Sequence, residues 1–178
     1  MIYFLSLLTS LSLAGTLAGV TLPESVTIKN QKLLLNGMGL REKYWVDVYV
    51  AGLYMAKRSK DAKHIIAAEV PKRIHTQFIY HKITKKQMQE TLKENLAKNP
   101  SIAASVHTQM QRCSSWMQDF TAGDSIIFDY HPQRGTTVII NGTTKGTIQG
   151  SAFMQALFSI YIGDHPASQQ LKKGLLNL

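Results

Sequence analysis

The sequence is short of the residues and motifs on which the commonest functional sites depend. Its 178 residues include a single cysteine, Cys113, so no disulfide can form within the chain. The six histidines contain no pair at helical ligand spacing, which leaves a metal site without support. Gly37-Met38-Gly39 is too short for a nucleotide-binding loop, and neither a P-loop nor a GxSxG nucleophile motif occurs. The sequence therefore predicts neither a cofactor nor a metal, and it does not support the common enzyme classes.

Charged side chains are missing from the first 19 residues. Residues 2–17 form an almost unbroken apolar run, about the length of a signal-peptide core and short for a membrane span. Thr16-Leu17-Ala18 fits the small-x-small pattern of a cleavage site, although basic residues before the run are lacking. We predict a signal peptide over 1–19, one domain over 20–178, and a periplasmic or secreted location. An uncleaved anchor is the alternative.

The composition is that of a globular protein with excess positive charge. Apolar residues make up 44% of the chain, charged residues 17%, and the formal net charge is +9. The densest basic group is Lys57, Arg58, Lys60 and Lys63. A solvated face and attraction to an anionic membrane surface both remain open as interpretations of these residues. A nucleic-acid partner is not predicted, because no binding motif is present.

The order of the predicted elements indicates an α+β domain with an antiparallel sheet and helices on one side. After Gly37-Met38-Gly39 interrupts the pattern, residues 43–55 read as one long strand. Thr84 and Gln87 are expected to form a capping box at the start of one helix, and Ser101 is expected to cap the next. Pro166 is expected to lie in the first turn of the last helix. Residues 152–162 form a helix that is apolar nearly all round and therefore buried. Shorter strands are predicted over 26–28, 32–35, 74–80, 125–130, 136–140 and 143–148, the last two joined by an Asn-Gly turn.

Three segments of the sequence form a distinctive series: Leu35-Asn36-Gly37-Met38-Gly39-Leu40-Arg41, then Val48-Tyr49-Val50-Ala51-Gly52-Leu53-Tyr54, then Phe153-Met154-Gln155-Ala156-Leu157. In this order they resemble the chalcone isomerase-like family, specifically its exported bacterial branch. The resemblance covers nearly all of the predicted mature chain. It implies an open-faced β-sandwich, in which a long antiparallel sheet is backed by a layer of helices.

The family includes a plant isomerase, which closes a chalcone to a flavanone, and non-catalytic relatives that bind fatty acids. The resemblance implies that Arg41 either pairs with a carboxylate or stabilises an enolate. The enzyme's threonine on the next strand falls on Tyr49. The family's cleft tyrosine becomes Met88, its cleft asparagine is retained as Asn95, and a hydroxyl residue of the late helix becomes Met154.

These changes favour binding over catalysis. Methionine can line an adaptable apolar pocket but cannot hold a ketone or an activating water, and loss of one preorganised donor can cost ~10²–10³ in rate. The leading hypothesis is an exported, non-catalytic protein that binds a fatty acid or similar apolar acid. Arg41 and Tyr49 would hold the head group, and Met88, Leu92 and Met154 would line the tail. The alternatives are an intramolecular lyase or isomerase that uses Arg41, and an envelope interaction protein whose cleft is filled by side chains.

Overall fold

The structure is a computed structural model that describes residues 14–98 and 100–178, with the side chains of all of these except residues 100–103. The described strands are β1 (Ala14–Leu17), β2 (Val20–Pro23), β3 (Ser25–Ile28), β4 (Gln31–Lys43), β5 (Val46–Met55), β6 (Lys72–Phe78), β7 (Ser125–His131), β8 (Gly135–Ile140) and β9 (Thr143–Ile148). The described helices are α1 (Ala62–Ala67), α2 (Lys85–Ala97), α3 (Pro100–Ser115), α4 (Ser151–Ile162) and α5 (Gln169–Leu176).

Strands β3 to β9 form one antiparallel sheet in which every strand pairs with the next along the chain. One face carries the main core, where Ala51 and Leu53 of β5 pack in the same cluster as Phe153 and Leu157 of α4. The predicted α+β fold, with an antiparallel sheet backed by helices, is confirmed. So is the buried late helix, because α4 has nine buried residues out of twelve.

The hairpin of β1 and β2 covers the other face of the sheet. Val20 and Leu22 pack against Val50, with Leu17 beside them. The predicted boundary after residue 19 falls inside this hairpin, because Ala18 and Gly19 form its turn with φ of +45° and +79°. Small residues that suit a cleavage site also suit a tight turn. Cleavage stays a prediction, and residues 1–13 lie outside the described residues.

The turn between β4 and β5 lies elsewhere than the sequence predicts. Strand β4 continues without a break through Gly37-Met38-Gly39. The predicted strand over 43–55 is interrupted instead at Tyr44 and Trp45. Both of these residues adopt a left-handed backbone, with φ of +52° and +65°. Two-residue hairpins usually place Asn or Gly there, whereas aromatic residues are typical of strands. The sequence pattern therefore conceals the turn.

Helix starts were predicted correctly where a capping side chain decides them. Thr84 Oγ1 accepts from the backbone N–H of Gln87, and Gln87 Oε1 accepts from that of Thr84, which is the predicted capping box. Ser101 was wrongly predicted as a cap, because α3 already begins at Pro100. Pro166 was wrongly placed in the last helix: Ser168 caps α5 by accepting from the N–H of Leu171.

Candidate ligand-binding cavity

A cavity of about 330 Å³ lies between the sheet and α2, at the end of the sheet where β4 and β5 turn. Its volume falls in the lower part of the range for small-molecule sites, about 300–1,000 Å³. Most of its wall is apolar, and its polar groups come both from the strands around Arg41 and from α2. The principal apolar lining residues are Phe78, Met88, Leu92, Met117, Ile126 and Ile160.

Arg41 reaches this cavity because of the way α5 packs on β4. Gly37, Gly39 and Arg41 are alternate residues of β4 and therefore face the same side of the sheet. A Cβ on Gly37 would lie 2.3 Å from the carbonyl oxygen of Gly174, and one on Gly39 2.3 Å from that of Leu171. The helix therefore rests directly on the glycine backbone. It begins at Gln169, so it does not extend over Arg41.

The guanidinium of Arg41 is not engaged by a carboxylate. Its Nη1 donates to the backbone carbonyl of Glu42 at 3.0 Å, and none of the ion pairs within 4.0 Å in the described part of the chain includes it. An arginine beside an apolar cavity is a suitable bidentate partner for a carboxylate or another planar anion.

Tyr49 lies directly across from Arg41 in the β4–β5 register, and Phe78 lies across from Tyr49 on β6. The rings of Tyr49 and Phe78 meet edge to face at 5.8 Å. Burial, reinforced by the nearby Tyr161 and opposed by Arg41, raises the pKa of Tyr49 far above its ordinary value. The phenol is therefore neutral at physiological pH, and its hydroxyl can donate to an anion.

Two further hydroxyl groups lie beside the cavity, from Thr76 on β6 and from Tyr161 on α4. Thr76 Oγ1 and Tyr161 Oη are 3.3 Å apart, and both residues line the cavity. Burial raises the pKa of Tyr161 to about 12, so this phenol is neutral as well. Sequence reasoning missed both residues. The available signal for Tyr161 was that it is the one tyrosine of the largely apolar α4.

Helix α2 forms the opposite wall. The capping box fixes where the helix begins, and so fixes which of its residues face the sheet. Met88, Leu92 and Asn95 follow at helical spacing and all three line the cavity. Asn95 is 5% exposed, and its Oδ1 accepts from Lys98 Nζ at 3.2 Å. The cavity thus has Arg41 and the tyrosines across from α2, which contributes the apolar Met88 and Leu92 together with polar residues such as Thr91 and Asn95.

Five of the six predicted site residues therefore come together: Arg41, Tyr49, Met88, Leu92 and Asn95 all line the cavity. Met154 does not line it, because this fully buried side chain packs in the main core. The predicted ligand-binding roles of all six remain predictions.

Charged and polar side chains surround the mouth of the cavity. Lys43 Nζ approaches Glu94 Oε2 at 3.8 Å, linking β4 to α2 across the opening, and Lys82 and Tyr44 lie on the same rim. The basic group over residues 57–63 follows the other end of β5, away from the mouth.

The described residues give no support for a metal site, a nucleophilic cysteine or a membrane-spanning helix. Nowhere in 14–98 and 100–178 do three or more His, Cys, Asp or Glu side chains come together as metal ligands would. Burial raises the pKa of the Cys113 thiol to about 12, which suppresses the thiolate form that a nucleophile needs. None of the helices in this part of the chain is long and apolar enough to cross a membrane.

Comparison with known proteins identifies the family. The sequence model described as chalcone isomerase-like matches residues 14–177. The chain belongs to the chalcone isomerase-like family. Among solved structures, a fatty-acid binding protein of Arabidopsis thaliana is similar, with a TM-score of 0.73 and 18% sequence identity over 92% of this chain and 96% of that one. At that identity the likeness shows the chalcone isomerase-like fold alone. No curated protein matches the sequence significantly.

Proposed function

We propose that this protein binds a fatty acid or similar apolar carboxylate in the cavity between the sheet and α2, without transforming it. The observation that carries the proposal is the guanidinium of Arg41, which lies beside an apolar cavity without a carboxylate partner among the described residues. A guanidinium that the protein leaves without an acidic partner can be satisfied by the head group of an apolar acid.

The hydroxyls beside Arg41 fit the same ligand. Tyr49 and Tyr161 are held neutral by burial, so each presents a donor and adds no negative charge to repel a carboxylate. Behind these groups the wall is apolar and includes Met88 and Met117, which adapt to chains of different shape. The similar Arabidopsis structure is that of a fatty-acid binding protein, which supports the same ligand class. Because the cavity is small for its class, we expect medium-length acids to bind better than long ones.

Native mass spectrometry with lipid extraction tests this proposal. The wild-type protein is expected to co-purify with an apolar acid, and Arg41→Ala is expected to lose it while remaining folded. Lys63→Ala, in helix α1 after the other end of β5, serves as the control and should retain the acid. An equal amount of acid on wild type and Arg41→Ala would contradict the proposed anchor, and failure of the wild type to bind added acids would contradict the function.

An isomerase is the second candidate, favoured by one observation. Arg41, Tyr49 and the Thr76–Tyr161 pair form a cluster of donors beside an apolar cavity, and such donors could stabilise an enolate. Turnover of a chalcone, lost in Arg41→Ala, would establish this activity. Absence of turnover under conditions in which an apolar acid binds is the result we expect.

We also propose that the protein is an exported member of its family. The support is the uncharged apolar run over residues 2–17. Expression with the native N-terminus, followed by cell fractionation and N-terminal sequencing, tests this. Recovery outside the cytoplasm supports export, and the sequence then shows whether a cut falls at the predicted boundary after residue 19, which would remove β1, or is absent. Recovery only in the cytoplasm, with Met1 in place, would contradict export.

A further inference from the structure

The tip of the β4–β5 hairpin is an exposed apolar surface. Tyr44 is 84% exposed, Trp45 is 94% exposed, and Val46 follows at 37%. The other two large apolar side chains that are exposed in the described part of the chain, Val70 and Leu178, stand singly. Single exposed apolar residues are ordinary, whereas three in succession at a projecting turn indicate an interaction surface.

The two-residue turn at this tip requires a left-handed backbone, but the residues that occupy it are unusual. Both Tyr44 and Trp45 have a left-handed backbone, a conformation for which Asn and Gly are the usual residues in hairpin turns. Trp45 is almost fully exposed, so its indole gains little by packing within the protein. A residue that breaks a local rule without compensation inside the fold is typical of a functional site.

The tip lies beside the mouth of the cavity. Tyr44 and Val46 line the opening together with Lys43. Arg41, which also lines the cavity, precedes Lys43 by two residues on β4. A surface that met the hairpin tip would therefore also meet the opening through which a ligand enters. The two features belong to one end of the molecule.

Exposed basic side chains lie at this end, together with the exposed acidic Asp47, Glu90 and Glu94. Lys82 borders the mouth, and α2 carries exposed Lys85, Lys86 and Lys93 on its first three turns. The lysine ammonium groups there form only long contacts with acidic groups, Lys82 to Asp119 at 3.8 Å and Lys86 to Glu90 at 3.9 Å, although Asp119 also accepts from the backbone N–H of Lys85 at 2.8 Å. Such exposed pairs are weak and exchange readily with other anions. The chain as a whole carries +9, so an anionic surface is attracted from a distance as well.

We propose that this end of the protein docks on an anionic lipid bilayer. Tyr44 and Trp45 enter the interfacial region, where amphipathic aromatic rings partition favourably, and the lysines of α2 and Lys82 contact lipid phosphates. The mouth of the cavity then faces the bilayer, so an apolar acid can pass between them without crossing water. That purpose rests on the proposed function, whereas the docking rests on the tip and the lysines alone.

Tryptophan fluorescence tests the insertion. The chain has two tryptophans, and Trp116 packs against Gly146, so a Trp116→Phe variant leaves Trp45 as the reporter. We expect its emission to shift to shorter wavelength with vesicles of phosphatidylcholine and phosphatidylglycerol, with a smaller shift on pure phosphatidylcholine. Added salt should reduce the binding to the anionic vesicles. No shift with either vesicle overturns the insertion.

Vesicle co-sedimentation of three variants tests the residues. Trp45→Gly should lower partitioning on the order of tenfold, since it removes the interfacial ring, and glycine suits the backbone so the fold should hold. Lys86→Glu should lower it at least about fivefold. Lys63→Glu, in helix α1 after the other end of β5, changes the net charge by the same amount and should lower partitioning clearly less than Lys86→Glu does. Unchanged partitioning of Trp45→Gly, or equal loss in both lysine variants, overturns the proposal.

Titration of dodecanoate without vesicles separates this proposal from the function on which it draws. Trp45 does not line the cavity, so Trp45→Gly should bind the acid as wild type does. Vesicle docking without any acid binding would overturn the proposed function alone. Acid binding without vesicle docking would overturn the docking alone, and Trp45-dependent capture of a defined envelope protein would then assign the tip to a protein partner.

Discussion

Gly37, Gly39 and Arg41 of strand β4 face the same side of the sheet, but the first half of the strand is closely packed and the second half borders a cavity. In the first half, Gly37 and Gly39 lie against the backbone of α5 so closely that no Cβ fits. In the second half, Arg41 faces a cavity and has no carboxylate partner among the described residues. Seven successive residues that look like one motif thus combine a packing element with a candidate binding element.

The closed half also satisfies its polar groups within the protein. The buried Asn36 donates through Nδ2 to the carbonyl of Leu175 at 2.8 Å and accepts at Oδ1 from the N–H of Ser59 at 2.7 Å. Lys72, fully buried at the same end of the sheet, donates to the carbonyls of Ile65 and Ala68 at the end of α1. In the half of β4 that borders the cavity, by contrast, the Arg41 guanidinium donates a hydrogen bond to the neighbouring carbonyl of Glu42. The comparison teaches that stability and ligand binding should respond to different substitutions.

The largest effect is expected from Gly39→Ala. Its Cβ would lie 2.3 Å from the carbonyl oxygen of Leu171, so helix or strand must shift, and we expect a loss of about 3 kcal/mol in the free energy of unfolding. Urea denaturation measures this. Gly142→Ala is the control, because its φ is +76° but nothing lies near its Cβ, and it should cost about 1 kcal/mol. Equal costs would break the assignment of Gly39 to close packing.

The second-largest effect is expected in the pH dependence of the free energy of unfolding, through Lys72. Burial, opposed by Glu69, lowers the pKa of Lys72 to about 8 from its ordinary 10.5. Between these values the unfolded chain binds more protons than the folded one, so stability should rise with pH from about 8 to about 10.5, by roughly 2 kcal/mol. Denaturation across this range, compared with Lys72→Met, isolates the contribution. A difference curve that is flat or falls would contradict it.

A smaller loss is expected from Asn36→Ala. It leaves the carbonyl of Leu175 and the N–H of Ser59 without their partner, at a cost of about 1–2 kcal/mol. The affinity of the folded protein for dodecanoate should be unchanged, since Asn36 does not line the cavity. Thermal denaturation and calorimetry measure the two quantities. Weaker acid binding by the folded variant would show that the halves of β4 are coupled.

The sequence predicted those parts of the site that depend on local periodicity. Met88, Leu92 and Asn95 follow helical spacing from a capped start, and Arg41 and Tyr49 come from motifs on adjacent strands. Met154 could not be placed, because α4 is apolar nearly all round and no face of it is marked as facing the cavity. The Thr76–Tyr161 pair depends on tertiary packing between β6 and α4, which no local pattern encodes.

The turn at Tyr44 and Trp45 was hidden for a different reason. Its residues are typical of strands, while its backbone is of the kind usually taken by Asn and Gly. The glycines of β4 misled in the opposite sense, since they mark close contact with α5 instead of a break in the strand. Local propensity is overridden in both places, once by helix packing and once at an exposed tip for which we propose a membrane role.

Calorimetric titration of wild type and Arg41→Ala with dodecanoate and with dodecanol tests the central claim most directly. The account predicts that wild type prefers the acid, and that Arg41→Ala loses ten- to hundredfold in affinity for the acid, as expected when a charged hydrogen bond is removed. Affinity for the alcohol and the free energy of unfolding should hardly change. Equal affinity of wild type and Arg41→Ala for dodecanoate would contradict a carboxylate anchor at Arg41.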